Sequence, residues 1–216
     1  MLSIHNIVNK PVPSNCFVLY DKAVGRECIV VDPGSKCDDE LFNFLEGEGL
    51  IPQYIVLTHE HFDHCWGVNE LIKKYQIPIV CSALCAECIK YDKRNCSVFY
   101  DNKERFVITS PTISVEELNY ELPFLGTELR FFFTPGHTDA CICITEGKSL
   151  FTGDTLLKDL RTVTKLPTGS MEKLKESIEL LRALQGKGYT VYPGHGDVFE
   201  LDGYDLELMV KGEIPK

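Results

Sequence analysis

Short apolar runs alternate with helix-like segments along the first half of the chain. The runs NCFVLY (15–20) and ECIVVDPG (27–34) predict two neighbouring strands, the second of which ends at Pro33-Gly34. The run YIVLT (54–58) is continuously apolar, which is typical of a central strand that is buried on both faces. The run IPIVC (77–81) predicts a further strand.

Apolar residues at helical spacing predict three helices. One helix is expected within residues 35–49 and a second within residues 68–78. The third is expected over residues 170–186, with Gly186 at its end and one apolar face turned to the core. The apolar stripe of this third helix consists of Leu174, Ile178, Leu181 and Leu184.

The second half of the chain contains strand-like runs that are joined by tight turns. These runs are ELRFFFTPG (128–136), ACICIT (140–145), SLFTGD (149–154) and YTVYPGHGD (189–197). Residues 89–123 are polar and rich in turns, and we interpret them as an excursion near the site rather than as a domain. Since no linker or repeat divides the chain, a single domain is expected over residues 1–216.

The amino-acid composition favours a soluble globular protein. Of the 216 residues, 44% are hydrophobic and 25% are charged, which is ordinary for a soluble globular enzyme. No apolar run reaches 18 residues and no export signal is visible, so we expect a cytoplasmic protein that does not bind a membrane. The formal net charge of -10 disfavours binding to nucleic acid, and the expected partner is a small-molecule substrate. The oligomeric state is not predicted.

The chain is rich in cysteine. Ten cysteines without an export signal indicate a reducing compartment and free thiols. The spacing of Cys81, Cys85 and Cys88 resembles the three-cysteine pattern of radical iron–sulfur enzymes. Because this stretch is helix-like and follows an apolar run, cysteines that are buried as small apolar side chains are the better interpretation.

Histidines are concentrated in four turns, each of which follows a predicted strand. The heptad THEHFDH (58–64) contains three of the six histidines, and FTPGHT, LFTGDT and VYPGHGD repeat the same strand-then-turn design. Five of the six histidines, all except His5, lie in these turns. Because strand ends converge on one edge of a sheet, we expect the four turns to meet in space. Glycines beside the later ligands allow sharp turns.

The heptad alone supplies candidate ligands for two metal ions. His59 and His61 are two residues apart, so in extended backbone they point the same way and can chelate one ion. Asp63 and His64 follow the bend and can face a second ion. Imidazole and carboxylate are the ligands of zinc and of other first-row metals.

The three later turns complete the two ligand sets. His137 would complete the first set and His195 the second, and Asp154 could bridge both ions. Seven ligands for two ions leave positions open for water and substrate, which is typical of a catalytic site. Glu60 points away from its histidine neighbours, and we expect it to have a structural role rather than to bind metal.

Each of these residues also has a simpler interpretation. A lone His137 or His195 is more often an ordinary surface or core histidine, and a Gly-Asp pair such as Gly153-Asp154 usually marks a turn. The heptad by itself could be a solvated acidic turn. The four motifs in series favour a metal site over these explanations.

The ordered set THEHFDH, PGHT, GDT and PGHG resembles the metallo-β-lactamase superfamily, in its glyoxalase II-like (hydroxyacylglutathione hydrolase-like) branch. The match runs from about Asn15 to Asp197. The resemblance implies an α+β fold, a four-layer αββα sandwich with a dinuclear metal site at one edge. Carried over by motif, it gives the same two ligand sets: His59, His61 and His137 for the first ion, Asp63, His64 and His195 for the second, and Asp154 as the bridge.

The resemblance also implies an activity. Two divalent metal ions, zinc or alternatively iron or manganese, would activate a bridging water as the nucleophile, and Asp63 would orient the hydroxide. One ion would stabilise the oxyanion and the other the leaving group. A thioester suits this arrangement, because a thiolate leaves without a protonated acid. We therefore predict a metal-dependent hydrolase of a small thioester or ester.

The chain departs from typical glyoxalase II enzymes after its last motif. Only about 20 residues follow His195, too few for the helical segment with which those enzymes grip glutathione. Three residues, Lys158, Arg161 and Lys165, could supply cations for an acidic substrate, although solvated surface charges are the simpler explanation. Cys65 is expected to fill space beneath the metals rather than to line the pocket.

Three alternative functions remain. Persulfide dioxygenases of the same superfamily use a single iron, held by residues that match His59, His137 and Asp154. A lactonase or phosphodiesterase is the nearest hydrolytic alternative, whereas the acidic charge disfavours a ribonuclease. A non-catalytic binding module that kept the fold is disfavoured by the intact ligand motifs.

Overall fold

Two six-stranded sheets form the framework of the chain. The computed structural model describes residues 1–36, 39–100, 103–116 and 120–211. The strands are β1 Ser3–Val8, β2 Asn15–Tyr20, β3 Glu27–Val31, β4 Ile51–Val56, β5 Ile79–Ser82, β6 Thr112–Val115, β7 Tyr120–Phe124, β8 Thr127–Phe133, β9 Ile142–Glu146, β10 Ser149–Gly153, β11 Thr190–Pro193 and β12 Phe199–Glu200. The helices are α1 Asp39–Glu48, α2 Phe62–Cys65, α3 Val68–Tyr75, α4 Ala83–Cys88, α5 Ser97–Tyr100, α6 Met171–Arg182 and α7 Leu206–Lys211.

The two sheets divide the chain into an N-terminal and a C-terminal half. The first sheet has the order β1-β2-β3-β4-β5-β6, and its strands from β3 to β6 run parallel. The second has the order β12-β11-β10-β9-β8-β7, in which only β10 and β11 pair in parallel. The predicted strand YIVLT corresponds to β4, which lies inside the first sheet with parallel neighbours on both sides.

Apolar side chains form a layer between the sheets and a layer outside each of them. Phe17 and Val56 of the first sheet pack with Phe131 and Phe151 of the second in the central layer. Successive residues of a strand point to opposite faces, so Val18, the neighbour of Phe17, belongs to the outer layer. Burial on both faces explains why these strands appear in the sequence as continuous apolar runs.

Helices cover the outer face of each sheet. Leu41 of α1 and Leu71 of α3 pack on the first sheet. Leu174, Ile178 and Leu181 of α6 pack on the second sheet, and these residues belong to the apolar face that was predicted for this helix. The layers are therefore helix, sheet, sheet and helix, which confirms the predicted αββα sandwich. Leu184 is only partly buried, because α6 ends at Arg182 rather than near Gly186.

The interpretation of residues 89–123 as an excursion was incomplete. This stretch includes α5 and, beyond it, two strands that were not predicted, β6 and the start of β7. Strand β6 pairs in parallel with β5 and β7 pairs antiparallel with β8, so these two strands form one edge of each sheet. The stretch thus passes from the first sheet to the second.

The three cysteines of the CSALCAEC stretch lie in the core around α4. Cys81, Cys85 and Cys88 are all buried. Desolvation raises the pKa of the Cys85 thiol well above its usual value and that of Cys88 to about 11. Among the described residues, the groups that could hold a metal ion contain no cysteine. The structure agrees with the interpretation of these residues as small apolar side chains.

In the described ranges, no helix is both long and apolar enough to cross a membrane.

Candidate metal centre

The four histidine-bearing and aspartate-bearing turns meet at one edge of the sandwich, where strands of both sheets end. The heptad 58–64 follows β4 of the first sheet and continues into α2. His137 follows β8, Asp154 follows β10 and His195 follows β11, and these three strands all belong to the second sheet. The turns therefore converge as predicted, but on the shared edge of two sheets rather than on the edge of one.

Three buried histidines form the first group of candidate ligands. One ligand atom each from His59, His61 and His137 lies within 4.8 Å of the others. The two closest ring nitrogens, His137 Nε2 and His61 Nδ1, are 2.9 Å apart. This group is the first ligand set that the sequence predicted.

The second group is more open to solvent. Ligand atoms of Asp63, His64 and His195 also lie within 4.8 Å of one another. His195 Nε2 is 3.3 Å from Asp63 Oδ2 and 3.4 Å from His64 Nε2. This group is the second predicted set.

Asp154 lies between the two groups. Its Oδ2 is 3.5 Å from His137 Nε2 of the first group, and its Oδ1 is 3.5 Å from His64 Nε2 of the second. Oδ2 also lies 3.6 Å from His195 Nε2. The two carboxylate oxygens thus face both groups, which is the position that a bridging ligand requires.

Acceptors outside the site determine where two of the histidines carry their protons. His137 Nδ1 is 2.7 Å from the carbonyl oxygen of Val163, and His195 Nδ1 is 3.0 Å from that of Pro13. Because a carbonyl oxygen can only accept, the Nδ1 atoms are the donors. In each neutral ring Nε2 then carries a lone pair, and that atom points into the site.

A carboxylate and a hydroxyl orient two more of the five site histidines in the same way. His64 Nδ1 donates to Asp32 Oδ2 at 3.0 Å. The hydroxyl of Thr58 donates to the same oxygen at 2.6 Å and lies 3.1 Å from His59 Nδ1, so it can accept a proton from that ring. His59 Nε2 is buried and has no hydrogen-bond partner among the described residues. An unpaired buried lone pair is costly unless a cation or a donor occupies the space in front of it.

The charge balance of the site also favours cations. Three carboxylates, of Asp32, Asp63 and Asp154, lie among imidazoles, and no lysine or arginine in the described ranges forms an ion pair with them. Burial opposes protonation of His64, but the nearby carboxylates outweigh it and raise its pKa to about 10. Burial and the neighbouring His137 instead lower the pKa of His61 to about 3.

The residues present fit divalent metal ions. The lone pairs of several imidazoles converge with carboxylate oxygens in two groups, and these are donor types that first-row metals bind. The outward-facing Nδ1 protons are held by carbonyl and carboxylate acceptors, which is how metal-binding histidines are commonly oriented.

Asp32 is the residue of this site that the sequence interpretation missed. Its buried side chain accepts hydrogen bonds from the Thr58 backbone N–H at 2.8 Å, from the Thr58 hydroxyl and from His64 Nδ1. It also joins His59 and His64 in a third group of possible ligands. A signal was present, because IVVDPG has the same strand-then-turn design as the four recognised motifs.

Glu60 and Cys65 have the structural positions that were expected. Glu60 is buried, and its Oε2 accepts from the hydroxyl of Thr138 at 2.9 Å, which ties the heptad to the turn that carries His137. Burial raises the pKa of Glu60, and this residue belongs to neither ligand group. Cys65 is buried in the outer core of the first sheet, and its thiol donates to the Glu60 carbonyl.

Two glycines allow the backbone to approach the ligands closely. A Cβ on Gly194 would lie 2.3 Å from Asp154 Oδ1. Gly153 has a φ of +48°, and a Cβ there would lie 2.4 Å from the hydroxyl oxygen of Thr58. Both positions therefore exclude larger residues, as the predicted role of these glycines required.

The three cationic residues considered from the sequence make no ion pair with the site carboxylates among the described residues. Lys158 pairs with Asp197 at 3.7 Å. Arg161 and Lys165 are exposed. The structure agrees with the simpler interpretation of all three as solvated surface charges.

Comparison with known proteins identifies the family. The family model of the metallo-beta-lactamase superfamily matches residues 9–195, which include every candidate ligand. The chain belongs to this superfamily. The superfamily consists largely of metal-dependent hydrolases, and its αββα fold is the one described above.

Individual similar proteins support the family assignment but do not establish a substrate for this chain. The uncharacterized protein ML0493 of Mycobacterium leprae (strain TN) is 28% identical, over 85% of this chain and 86% of the relative. The crystal structure of the B3 metallo-beta-lactamase BLEG-1 has a TM-score of 0.82 and 25% identity, with 92% of this chain and 94% of that chain covered. The di-iron-bound form of TTHA1623 has a TM-score of 0.74 and 24% identity, with coverage of 97% and 98%. None of these relatives confirms the glyoxalase II-like branch, which stays a prediction.

Proposed function

We propose that this chain is a metal-dependent hydrolase of a small thioester or ester. The observation that carries the proposal is the arrangement of the site histidines, whose protons are held outside the site while lone pairs converge inside it. Such an arrangement has little use in a purely structural core, where each buried lone pair would need its own donor.

Two divalent metal ions are the proposed cofactors. The first would be held by His59, His61 and His137 and the second by Asp63, His64 and His195, with Asp154 between them. Zinc suits these ligands, and the similarity to a di-iron-bound protein keeps iron as an alternative beside manganese. When bound, such ions polarise a carbonyl oxygen and lower the pKa of a water molecule.

Asp63 is the proposed catalytic residue. Its Oδ2 faces His195 Nε2 at 3.3 Å, which leaves Oδ1 to orient the attacking hydroxide. The side chain keeps some exposure to solvent, at 14%, whereas the His64 side chain has none. Asp63 is therefore accessible to a water molecule and a substrate that enter from the open side of the site.

The site favours a substrate with a good leaving group. Among the described residues, no lysine or arginine pairs with the site carboxylates, so no such side chain is placed there to protonate a departing group. A thiolate leaves without protonation, which supports a thioester over an amide. The proposed partner is a small cytoplasmic substrate rather than a nucleic acid or a membrane.

An iron-dependent oxidoreductase is the second candidate. The similarity to a di-iron-bound structure supports iron as a cofactor, and a single iron would use His59, His137 and Asp154. A lactonase or phosphodiesterase would use the same two-ion site as the thioester hydrolase. These candidates differ in substrate and in metal content, so both must be measured.

The test is hydrolysis of a substrate panel by protein that is purified without added metal. We expect turnover of a thioester or ester above that of a lactone, a phosphodiester or a β-lactam. His61→Ala and Asp154→Ala should lower kcat/KM by about 100-fold or more, since each removes a proposed ligand. His5→Ala is the matched control, because His5 stacks on Phe44 away from the site.

Two results would overturn the proposal. One is wild-type turnover in His61→Ala and Asp154→Ala. The other is a protein that contains one iron per chain and consumes oxygen on a persulfide without hydrolysing any member of the panel.

A further inference from the structure

An apolar hollow of about 490 Å³ lies beside the proposed metal centre. None of its lining residues carries a lysine, arginine, aspartate or glutamate side chain. The volume falls within the ordinary range for small-molecule sites. The lining residues are Phe62, Cys96, Phe99, Tyr100, Leu166 and Pro167.

Two sides of the hollow belong to segments that carry or contact candidate metal ligands. Phe62 stands between His61 and Asp63 and begins α2. Leu166 and Pro167 belong to the loop whose Val163 carbonyl accepts from His137 Nδ1. Two short stretches of chain therefore connect the hollow to the ligand groups.

The far wall exposes large apolar side chains. Phe99 is 70% exposed and Tyr100 is 46% exposed, and Leu166 on the opposite wall is 42% exposed. A cluster of exposed large apolar side chains beside a reaction centre indicates a binding surface.

A packed aromatic group fixes the shape of the hollow from beneath. Trp66, the single tryptophan of the chain, is buried and packs edge-on against Phe62 and Tyr100, each at a ring-centroid distance of 5.4 Å. It also stacks on Phe106 at 5.8 Å. Two of the lining side chains are thus held in place by the same indole ring, which makes that ring a natural reporter of anything bound above it.

We infer that this hollow binds a hydrocarbon chain of the substrate, so that the enzyme prefers thioesters with an apolar chain of medium length to those with short chains only. The inference rests on the proposed function and adds a substrate class to it. It follows from three observations: the uncharged lining, the exposed apolar walls, and the connection of two of its sides to His61, Asp63 and His137. Each methylene group covered by these side chains is removed from water, which favours the longer chain.

The first experiment compares chain lengths. Acetyl and octanoyl thioesters of N-acetylcysteamine vary the acyl side, and acetyl thioesters of ethanethiol and octanethiol vary the thiol side. We expect kcat/KM to be at least about tenfold higher for the long chain in one of the two series. Leu166→Ser and Phe99→Ser should each reduce that preference by about threefold or more.

A leucine elsewhere on the surface provides the matched control. Leu180 is 54% exposed and lines a different hollow between α6 and the second sheet. Leu180→Ser should leave the chain-length preference unchanged. Circular dichroism of the three variants checks that each has the wild-type fold.

The second experiment measures binding without turnover. Titration with the non-hydrolysable thioether S-octyl-N-acetylcysteamine should change the fluorescence of Trp66 in a saturable way. The ethyl analogue should bind at least about tenfold more weakly, and Leu166→Ser should weaken binding of the octyl compound.

The outcomes separate this inference from the proposed function. Thioester turnover without a chain-length preference in either series, together with equal binding of the octyl and ethyl compounds, overturns the hollow as a chain site and leaves the hydrolase intact. Octyl-selective binding without any hydrolysis supports the hollow and overturns the hydrolase. A monomer–dimer shift caused by Leu166→Ser, with no effect on octyl binding, would assign the hollow to contact with a second copy and overturn the inference.

Discussion

At the scale of single residues, the proton positions of the histidines decide what the site can bind. Carbonyl oxygens of Val163 and Pro13 and the carboxylate of Asp32 accept the outward Nδ1 protons of three rings. Each of these rings, when neutral, presents a lone pair inward. Such a site attracts cations whatever substrate it acts on, and it predicts that the acceptors of the Nδ1 protons contribute to metal affinity.

The first prediction concerns Asp32. In Asp32→Asn the amide –NH2 group would face either the Thr58 backbone N–H, in the place of Oδ1, or the Nδ1 proton of His64, in the place of Oδ2. In both cases the negative charge that holds the Nδ1 proton of His64 is lost, so the orientation of this ring is less firmly fixed. Metal affinity should fall by about 10- to 100-fold, as measured by competition with a chelator of known affinity. Asp21→Asn is the control, because Asp21 also accepts a backbone N–H but does so in an exposed turn. Equal metal affinity in both variants would refute the role of Asp32.

The second prediction concerns Gly194. In Gly194→Ala the new Cβ would lie 2.3 Å from Asp154 Oδ1 and 2.8 Å from His64 Cε1, so the ligands must move. Metal content and hydrolysis should fall together, which metal analysis and the thioester assay can follow in one preparation. Gly47→Ala is the matched control, since nothing lies within 4 Å of its added Cβ, and it should keep full activity. Wild-type metal content in Gly194→Ala would contradict this packing.

Much of the site could be anticipated from the sequence, and the exception has a physical reason. The seven predicted ligands are histidines or aspartates in turns that follow strands, and the structure brings them together. Asp32 also follows a strand directly, but Asp-Pro-Gly is an ordinary turn sequence as well. Its role depends on Thr58 and His64, which lie 26 and 32 residues further along the chain, and no local pattern reports that contact.

At the scale of secondary structure, strands that are buried on both faces were the easiest to predict. Residues 15–20 and 54–58 are continuous apolar runs because side chains on both faces meet apolar layers. Strands β6 and β7 were missed because each lies at a sheet edge, with polar or half-exposed positions that give no clear pattern. Their formation depends on pairing with β5 and β8, which a local sequence pattern does not show.

The third prediction concerns the start of α6. The hydroxyl of Ser170 accepts from the Lys173 backbone N–H, and the Ser170 N–H donates to the Gly136 carbonyl beside His137. Ser170→Ala should lower the free energy of unfolding by about 1 kcal/mol in urea denaturation, because one N-terminal N–H of the helix loses its acceptor. Ser170→Asp should retain the wild-type value, since aspartate also caps helices. A loss of equal size in both variants would show that the cap is not the cause.

At the scale of the whole molecule, the candidate metal centre draws its residues from both halves of the chain. The heptad follows the first sheet, whereas His137, Asp154 and His195 follow strands of the second. Each ligand group therefore draws on both sheets. A bound ion would hold the sheets together at this edge, in addition to the apolar layer between them.

The fourth prediction follows from this placement. Ions that bind the folded chain and not the unfolded chain stabilise it, by about 2.7 kcal/mol when free metal is 100 times its Kd. Removal of metal by a chelator should therefore lower Tm, as followed by circular dichroism, and added metal should restore it. The effect should be smaller in His61→Ala, which lacks one of the ligands. An identical Tm with and without chelator in the wild-type protein would argue against ions that bridge the sheets.

The most direct measurement for the whole account is the metal content of protein purified without added metal, determined by inductively coupled plasma mass spectrometry. The account predicts two divalent ions per wild-type chain and a clear loss in His61→Ala and Asp154→Ala, with His5→Ala unchanged. A wild-type chain that contains no metal and takes up none from solution would contradict it. So would an equal metal content in the wild-type protein and all three variants.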